Sequence, residues 1–199
     1  MIKKAKERWR PLVELVNYET KWPVLYAFEK EKVTSMLKDF SIEVHHIGST
    51  AVPNMLSSPI IDVLIGVQRS EDLKSVIEIL QNGPYVYIEE SNIFIALKDE
   101  ASLSHYPKYI KQNDFYCQIP NHIQHAHLYV TAINSTFWND CLLFQDELKR
   151  SERFQEGYIE MKHKLASSYW NDSSQYKEGK QAYIQSYISS KNLQSVNTK

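Results

Sequence analysis

The sequence predicts an α+β fold, and three observations lead there. Strand-like segments dominate up to residue 131, and the strongest, PIIDVLIGV over 59–67, is β-branched and almost continuously apolar, as a central strand is. From Asn134 onward the pattern turns helical. The chain has 199 residues, 43% of them hydrophobic, which suits one domain with a substantial core. Strands gathered ahead of helices, rather than alternating with them, make the order α+β.

Taken in order, Arg10–Tyr18 is short and partly alternating and reads as a strand. A helix follows, with Pro23 in its first turn, where the missing N–H costs nothing. Leu25, Phe28, Met36 and Phe40 share one stripe of it, and it ends near Phe40. Ile42–Gly48 is a strand, GSTAVPNMLSS a loop, and Pro59–Val67 the central strand. Ser70 N-caps the helix EDLKSVIEILQN, which stops at Gly83-Pro84. YVYIEE and IFIAL form a hairpin, 99–114 is polar and irregular, and FYCQI and HAHLYVT are two further strands. Three helices close the chain: FWNDCLLFQDELKR, RFQEGYIEMKHKLASSYW and YKEGKQAYIQSYISS. KNLQSVNTK lacks an apolar face and frays. This reading gives one domain over 10–188, a sheet-containing core over 10–131 with helices over 134–188, and tails at 1–9 and 189–199.

Composition excludes several functions. A net charge of −1 argues against bulk attraction to nucleic acid or an anionic membrane. No apolar run approaches the ~20 residues that span a bilayer. MIKKAKERWRPLVEL has no apolar h-region, so the expected location is cytoplasmic. Cys117 and Cys141 lack metal-type spacing and read as reduced thiols.

Three features carry chemistry. Gly48-Ser49 follows a strand and opens a small-residue loop, a turn that lets backbone approach a phosphate, although most such pairs are only turns. Asp62 interrupts an apolar strand. By alternation Ile61, Val63, Ile65 and Val67 share one face against helices, and Ile60, Asp62, Leu64 and Gly66 the other. A carboxylate there needs solvent, a partner or a metal. In HAHLYVT, His125, His127, Tyr129 and Thr131 face one way and Ala126, Leu128 and Val130 the other. Two histidines on one face can bind metal, hold phosphate oxygens, or simply hydrogen-bond within the sheet. His46 either reaches the same pocket or braces the loop.

HIGSTAVP at 46–53, followed by PIID at 59–62, resembles the hallmark of the GrpB family. The likeness extends through Tyr18, Trp22 and Glu29, through HLYV at 127–130, and into the tail through Trp138, Phe144, Tyr158, Lys162, Leu165, Tyr176, Lys180 and Ile184. It covers about residues 10 to 188. The resemblance implies the nucleotidyltransferase fold, a mixed sheet flanked by helices. It implies a turn for nucleotide phosphates at Gly48 and Ser49, with His46 and Thr50 beside it as ligand-binding candidates. It also implies a Mg²⁺-binding acid at Asp62, with His127 as the group that orients a phosphate or accepts a proton.

This chain departs from the pattern at four positions. Leu64 stands where the wider superfamily has a second acid, and two-metal phosphoryl transfer needs oxygen ligands on both sides of the ions. Asn54 replaces a family Gly, Ser58 a family Lys, and Tyr129 a family His. Glu29, Glu89 and Asp114 are the acids that would compensate for Leu64. The expected function is therefore Mg²⁺-dependent nucleotidyl or phosphoryl transfer on a nucleotide or coenzyme-like substrate. The alternative is a non-catalytic nucleotide- or phosphate-binding protein. A third reading, a histidine-triad hydrolase, meets Tyr129 where its nucleophilic His belongs.

Overall fold

The computed structural model describes residues 13–111, 119–169 and 172–197. Six strands form one mixed sheet in the order β1-β2-β6-β4-β3-β5. They are β1 (Ile42–Ile47), β2 (Ile61–Val67), β3 (Val86–Ile88), β4 (Ile93–Leu97), β5 (Tyr109–Ile110) and β6 (Gln124–Ala132). β2 and β6 are parallel, while β1 and β4 run antiparallel beside them. The hairpin β3–β4 turns through Asn92, which takes the left-handed backbone that asparagine tolerates.

The period-2 reading of β2 holds. Ile61, Val63, Ile65 and Val67 join Leu128 and Val130 in a core closed by α1 (Trp22–Met36) and α2 (Leu73–Gln81). On the opposite face Leu64 packs with Ile47 and with Trp138 of α3 (Thr136–Arg150). The Trp138 ring lies where a side chain on Gly66 would sit, so residue 66 has to be glycine. α4 (Glu152–Ser168) and α5 (Ser173–Asn197) complete the helical side. There Val52 and Met55, from the loop after β1, insert among Phe144, Leu148 and Tyr158.

Several local expectations change. The first helix buries Trp22, Glu29 and Val33, while Phe28 is 61% exposed, so the expected stripe is rotated. Leu25, Met36 and Phe40 only flank the core. Ser70 begins a 3₁₀ turn rather than capping α2, and the Arg69 guanidinium forks onto Asp72 there. Within the described part of Arg10–Tyr18 there is one bridge, Val16 to Ser57, instead of a strand. The stretch 99–111 holds a 3₁₀ turn, Glu100–His105, and then β5. α5 continues to Asn197 instead of fraying at 189. Lys191 anchors that extension, 3.5 Å from Glu147 and over the Tyr187 ring. Asp114, Cys117 and most of the expected FYCQI strand lie outside the described residues.

One irregularity decides the placement of the histidines. β6 pairs with β4 as His127 to Ile95 and Ala126 to Ala96, and then Gln124 pairs with Leu97. His125 is the extra residue of a β-bulge, and it turns to the face opposite His127. Strict alternation had put both on one face.

Candidate functional site

The site begins with backbone geometry. β1 ends at Ile47, paired with Asp62, and the chain leaves through Gly48 at φ +74°. A Cβ at residue 48 would lie 2.6 Å from Asp62 Oδ2. Glycine is therefore required twice, for its backbone angle and because the carboxylate occupies the space. The Asp62 carboxylate thus abuts the turn. Ser49–Ala51 then forms a single 3₁₀ turn.

Asp62 is 24% exposed on its side chain. The Tyr129 hydroxyl donates to its Oδ1 at 3.2 Å, and His127 Nδ1 lies 3.6 Å from the same oxygen. Burial opposes its charge, but His127, the Lys180 ammonium and Tyr129 outweigh that and hold the carboxyl below its ordinary range. His127 is buried. The Gln124 amide nitrogen donates to the Ile119 carbonyl at 2.6 Å, which turns Gln124 Oε1 toward His127 Nε2, also 2.6 Å away. An amide oxygen only accepts, so Nε2 carries a proton, and it is a second proton on Nδ1, on the Asp62 side, that lets the ring support the carboxylate. Burial lowers the His127 pKa against the pull of Asp62, and the Lys177 and Lys180 charges lower it further.

The remaining wall comes from the far end of the chain. Lys162 of α4 donates to Ser49 Oγ at 3.0 Å and to the Leu56 carbonyl. Tyr158, one helical turn earlier, packs under the Lys162 ammonium, its ring centroid 4.8 Å from Nζ. From α5, Tyr176, Lys177 and Lys180 line the cleft with Ser58, Asp62 and His127. Its volume is about 50 Å³. That holds a few waters or one phosphoryl-sized group, far below the ~300 Å³ of a pocket that swallows a whole small ligand.

Of the expected site residues, Gly48, Ser49, Asp62 and His127 are brought together. His46 and Thr50 are engaged elsewhere. His46 pairs with Val63 and so lies on the α1 face, stacked on Tyr26 at 4.7 Å and 3.0 Å from Thr50 Oγ1. Burial depresses its pKa to about 4. It braces the loop instead of facing the cleft. His125 sits 3.7 Å from Glu29, across the sheet from Asp62, so no histidine-triad arrangement is assembled. Glu29 is held by Tyr85 and Lys32, and Glu89 takes the Tyr109 hydroxyl at the far edge of the sheet. Neither compensates for Leu64.

Those placements test the fit to magnesium. Mg²⁺ wants near-octahedral oxygen, with one or two carboxylates besides water and phosphate. Among the described residues no group of three or more His, Cys, Asp or Glu converges to hold a metal. Leu64 is fully buried, and the one acid lining the cleft among the described residues already faces His127 and the Lys180 charge. This donor set does not fit a protein-held magnesium ion.

Sequence reasoning missed Lys162, Tyr158, Tyr176, Lys177, Lys180 and Gln124. One signal was available. Tyr158, Lys162 and Leu165 fall at i, i+4 and i+7, so a lysine occupies the inward stripe of α4. Asn54 accounts for its family glycine, since it adopts φ +62°. Where Ser58 lacks the family lysine, α5 brings Lys177 and Lys180 to the same cleft.

Comparison with known proteins agrees with this frame. The chain is 25% identical over 173 residues to the UPF0157 protein BH1888 of Halalkalibacterium halodurans, covering 87% of this chain and 79% of that protein. It is 29% identical over 172 residues to the UPF0157 protein YqkA of Bacillus subtilis, covering 86% of this chain but 45% of that longer protein. The glutamate-rich protein GrpB of Alkalihalophilus pseudofirmus is 25% identical, with 86% and 91% covered. The crystal structure of the conserved protein GrpB from Enterococcus faecalis superposes with a TM-score of 0.62 at 21% identity, over 87% of this chain and 99% of that one, a likeness of fold. No helix among the described residues is long and apolar enough to cross a membrane. The profile of the GrpB protein family matches residues 12–190, and with the Gly48 turn, Asp62 and the helical wall in place, the chain belongs to that family.

Proposed function

We propose that this chain binds the phosphate end of a nucleotide or coenzyme-like ligand between the Gly48-Ser49 turn and α5. The observation that carries this reading is the charge of the cleft: Lys177 and Lys180 line it, Lys162 stands behind Ser49, and the opposing carboxylate is Asp62. A tetrahedral dianion meets a hydroxyl and ammonium groups there, the donors that hold phosphate. The volume admits a phosphoryl group and leaves the base or pantetheine portion outside. Asp62, tied to Tyr129 and His127, gives the cleft an acceptor side that orients a ligand hydroxyl.

Calorimetric titration with ATP and with coenzyme A, each in magnesium and in EDTA, tests it. Binding of at least one, with the same affinity in both media, is expected. Lys180→Ala weakens it roughly 10- to 100-fold, the loss of one charge-assisted contact. Absence of heat with both ligands overturns the reading. Nucleotidyl transfer is the second reading, favoured by the contact of Asp62 with the Gly48 turn. It requires nucleotide turnover that magnesium stimulates and that Asp62→Asn abolishes.

A further inference from the structure

Lys162 is 2% exposed. Its Nζ donates to Ser49 Oγ and the Leu56 carbonyl and lies 4.8 Å over the Tyr158 ring. All of these are neutral groups, and among the described residues no carboxylate forms an ion pair with it. A buried ammonium without a counter-ion is costly, and a lysine so placed sheds its proton or awaits an anion. The charged and titratable groups facing it are Tyr158 on its own helix and Lys180 on α5, and Tyr158 in turn feels Tyr176 and Tyr183 of α5 and Asp62 of β2. Burial, and then the Lys180 charge, push Lys162 down to about 7.

Resting on the phosphate-binding reading above, we propose that Lys162 selects the ligand by charge, taking up a proton as a dianionic terminal phosphate enters the adjoining cleft beside Ser58 and Lys180. The amine accepts that proton from solvent, and the dianion supplies the counter-charge that the protein withholds. The favoured class is therefore a phosphomonoester or a terminal phosphate. A phosphodiester, with one negative charge, compensates the ammonium only in part.

Inorganic sulfate is the probe, because it stays dianionic and untitrated from pH 6 to 9. Its affinity is measured by calorimetry at pH 7.5 and 9 in two buffers of different ionisation heat. For the native chain the apparent Kd weakens by about tenfold per pH unit above 7.5, with close to one proton taken up at pH 8. Lys162→Arg, whose charge is fixed, binds sulfate with little pH dependence. Lys162→Met binds it weakly and takes up no proton, and circular dichroism verifies that both variants fold. Sulfate binding with equal affinity at both pH values and no buffer-dependent heat overturns the role of Lys162 alone. Proton uptake that persists in Lys162→Met does the same. Failure of sulfate, ATP and coenzyme A alike to bind overturns the phosphate-binding reading as well.

Discussion

The two faces of the sheet each carry a carboxylate beside a histidine from β6, and the pairs behave differently. On the α1 face Glu29, 1% exposed, takes the Tyr85 hydroxyl at 3.1 Å and the Lys32 ammonium at 3.2 Å, with His125 at 3.7 Å. On the other face Asp62 keeps partial exposure and looks across a cavity at lysines of another layer. The chemical inventory is nearly the same. Glu29 is closed off by partners from both the helix and the sheet, as a group that organises a core is. Asp62 is left with a space that its neighbours do not fill. Enclosure, more than residue type, separates an acid closed into a core from one that opens on a cavity.

The sharpest way to break this contrast is to remove each acid. Glu29→Ala strands Tyr85 and Lys32 and lowers stability by about 3 kcal/mol, whereas Asp62→Asn changes it by less than about 1 kcal/mol. Urea denaturation of both variants measures the difference, and equal losses would erase the distinction. Next in size, Gly48→Ala costs about 2 kcal/mol, from a left-handed backbone and from the Asp62 oxygen in the way. In an Asp62→Ser background the same change costs about 1 kcal/mol, because only the backbone part remains. An unchanged cost in a double-mutant cycle would show that turn and acid are not in contact.

The smallest effect concerns pH. His46 binds its proton at about 4 in the folded chain and near 6.5 when unfolded. Between those values the unfolded chain holds more protons, so stability falls as pH drops through that window. Fully expressed, that gap is worth about 3 kcal/mol, and the partial exposure of His46 screens it to a fraction of that. Thermal melts of His46→Gln should show a shallower loss between pH 6.5 and 4.5, with His127 accounting for part of what remains.

Much of the frame was legible in the residues. The apolar run of β2 identified the central strand, and the helical periods after Asn134 located α3 to α5. Gly48 and Asp62 could be paired because a turn after one strand meets the start of the next. His125 could not be placed, since a bulge is a property of two strands and the register with β4 is invisible in β6 alone. Phe28 misled for a related reason. Its hydrophobicity said inward, but the buried face of α1 is set by Glu29, whose buried partner Tyr85 lies 56 positions away. The lysine wall escaped because α4 and α5 touch the turn across more than 100 residues, as the 113-residue separation of Lys162 and Ser49 illustrates.

That separation has a consequence for how the molecule comes to work. During synthesis the turn and the acid emerge early and can fold with β1 and β2, yet they have nothing to grip with until α5 leaves the ribosome and docks. On the phosphate-binding reading, capture therefore waits for the last helix, and truncating the chain before Tyr176 would strip Tyr176, Lys177 and Lys180 from the cleft.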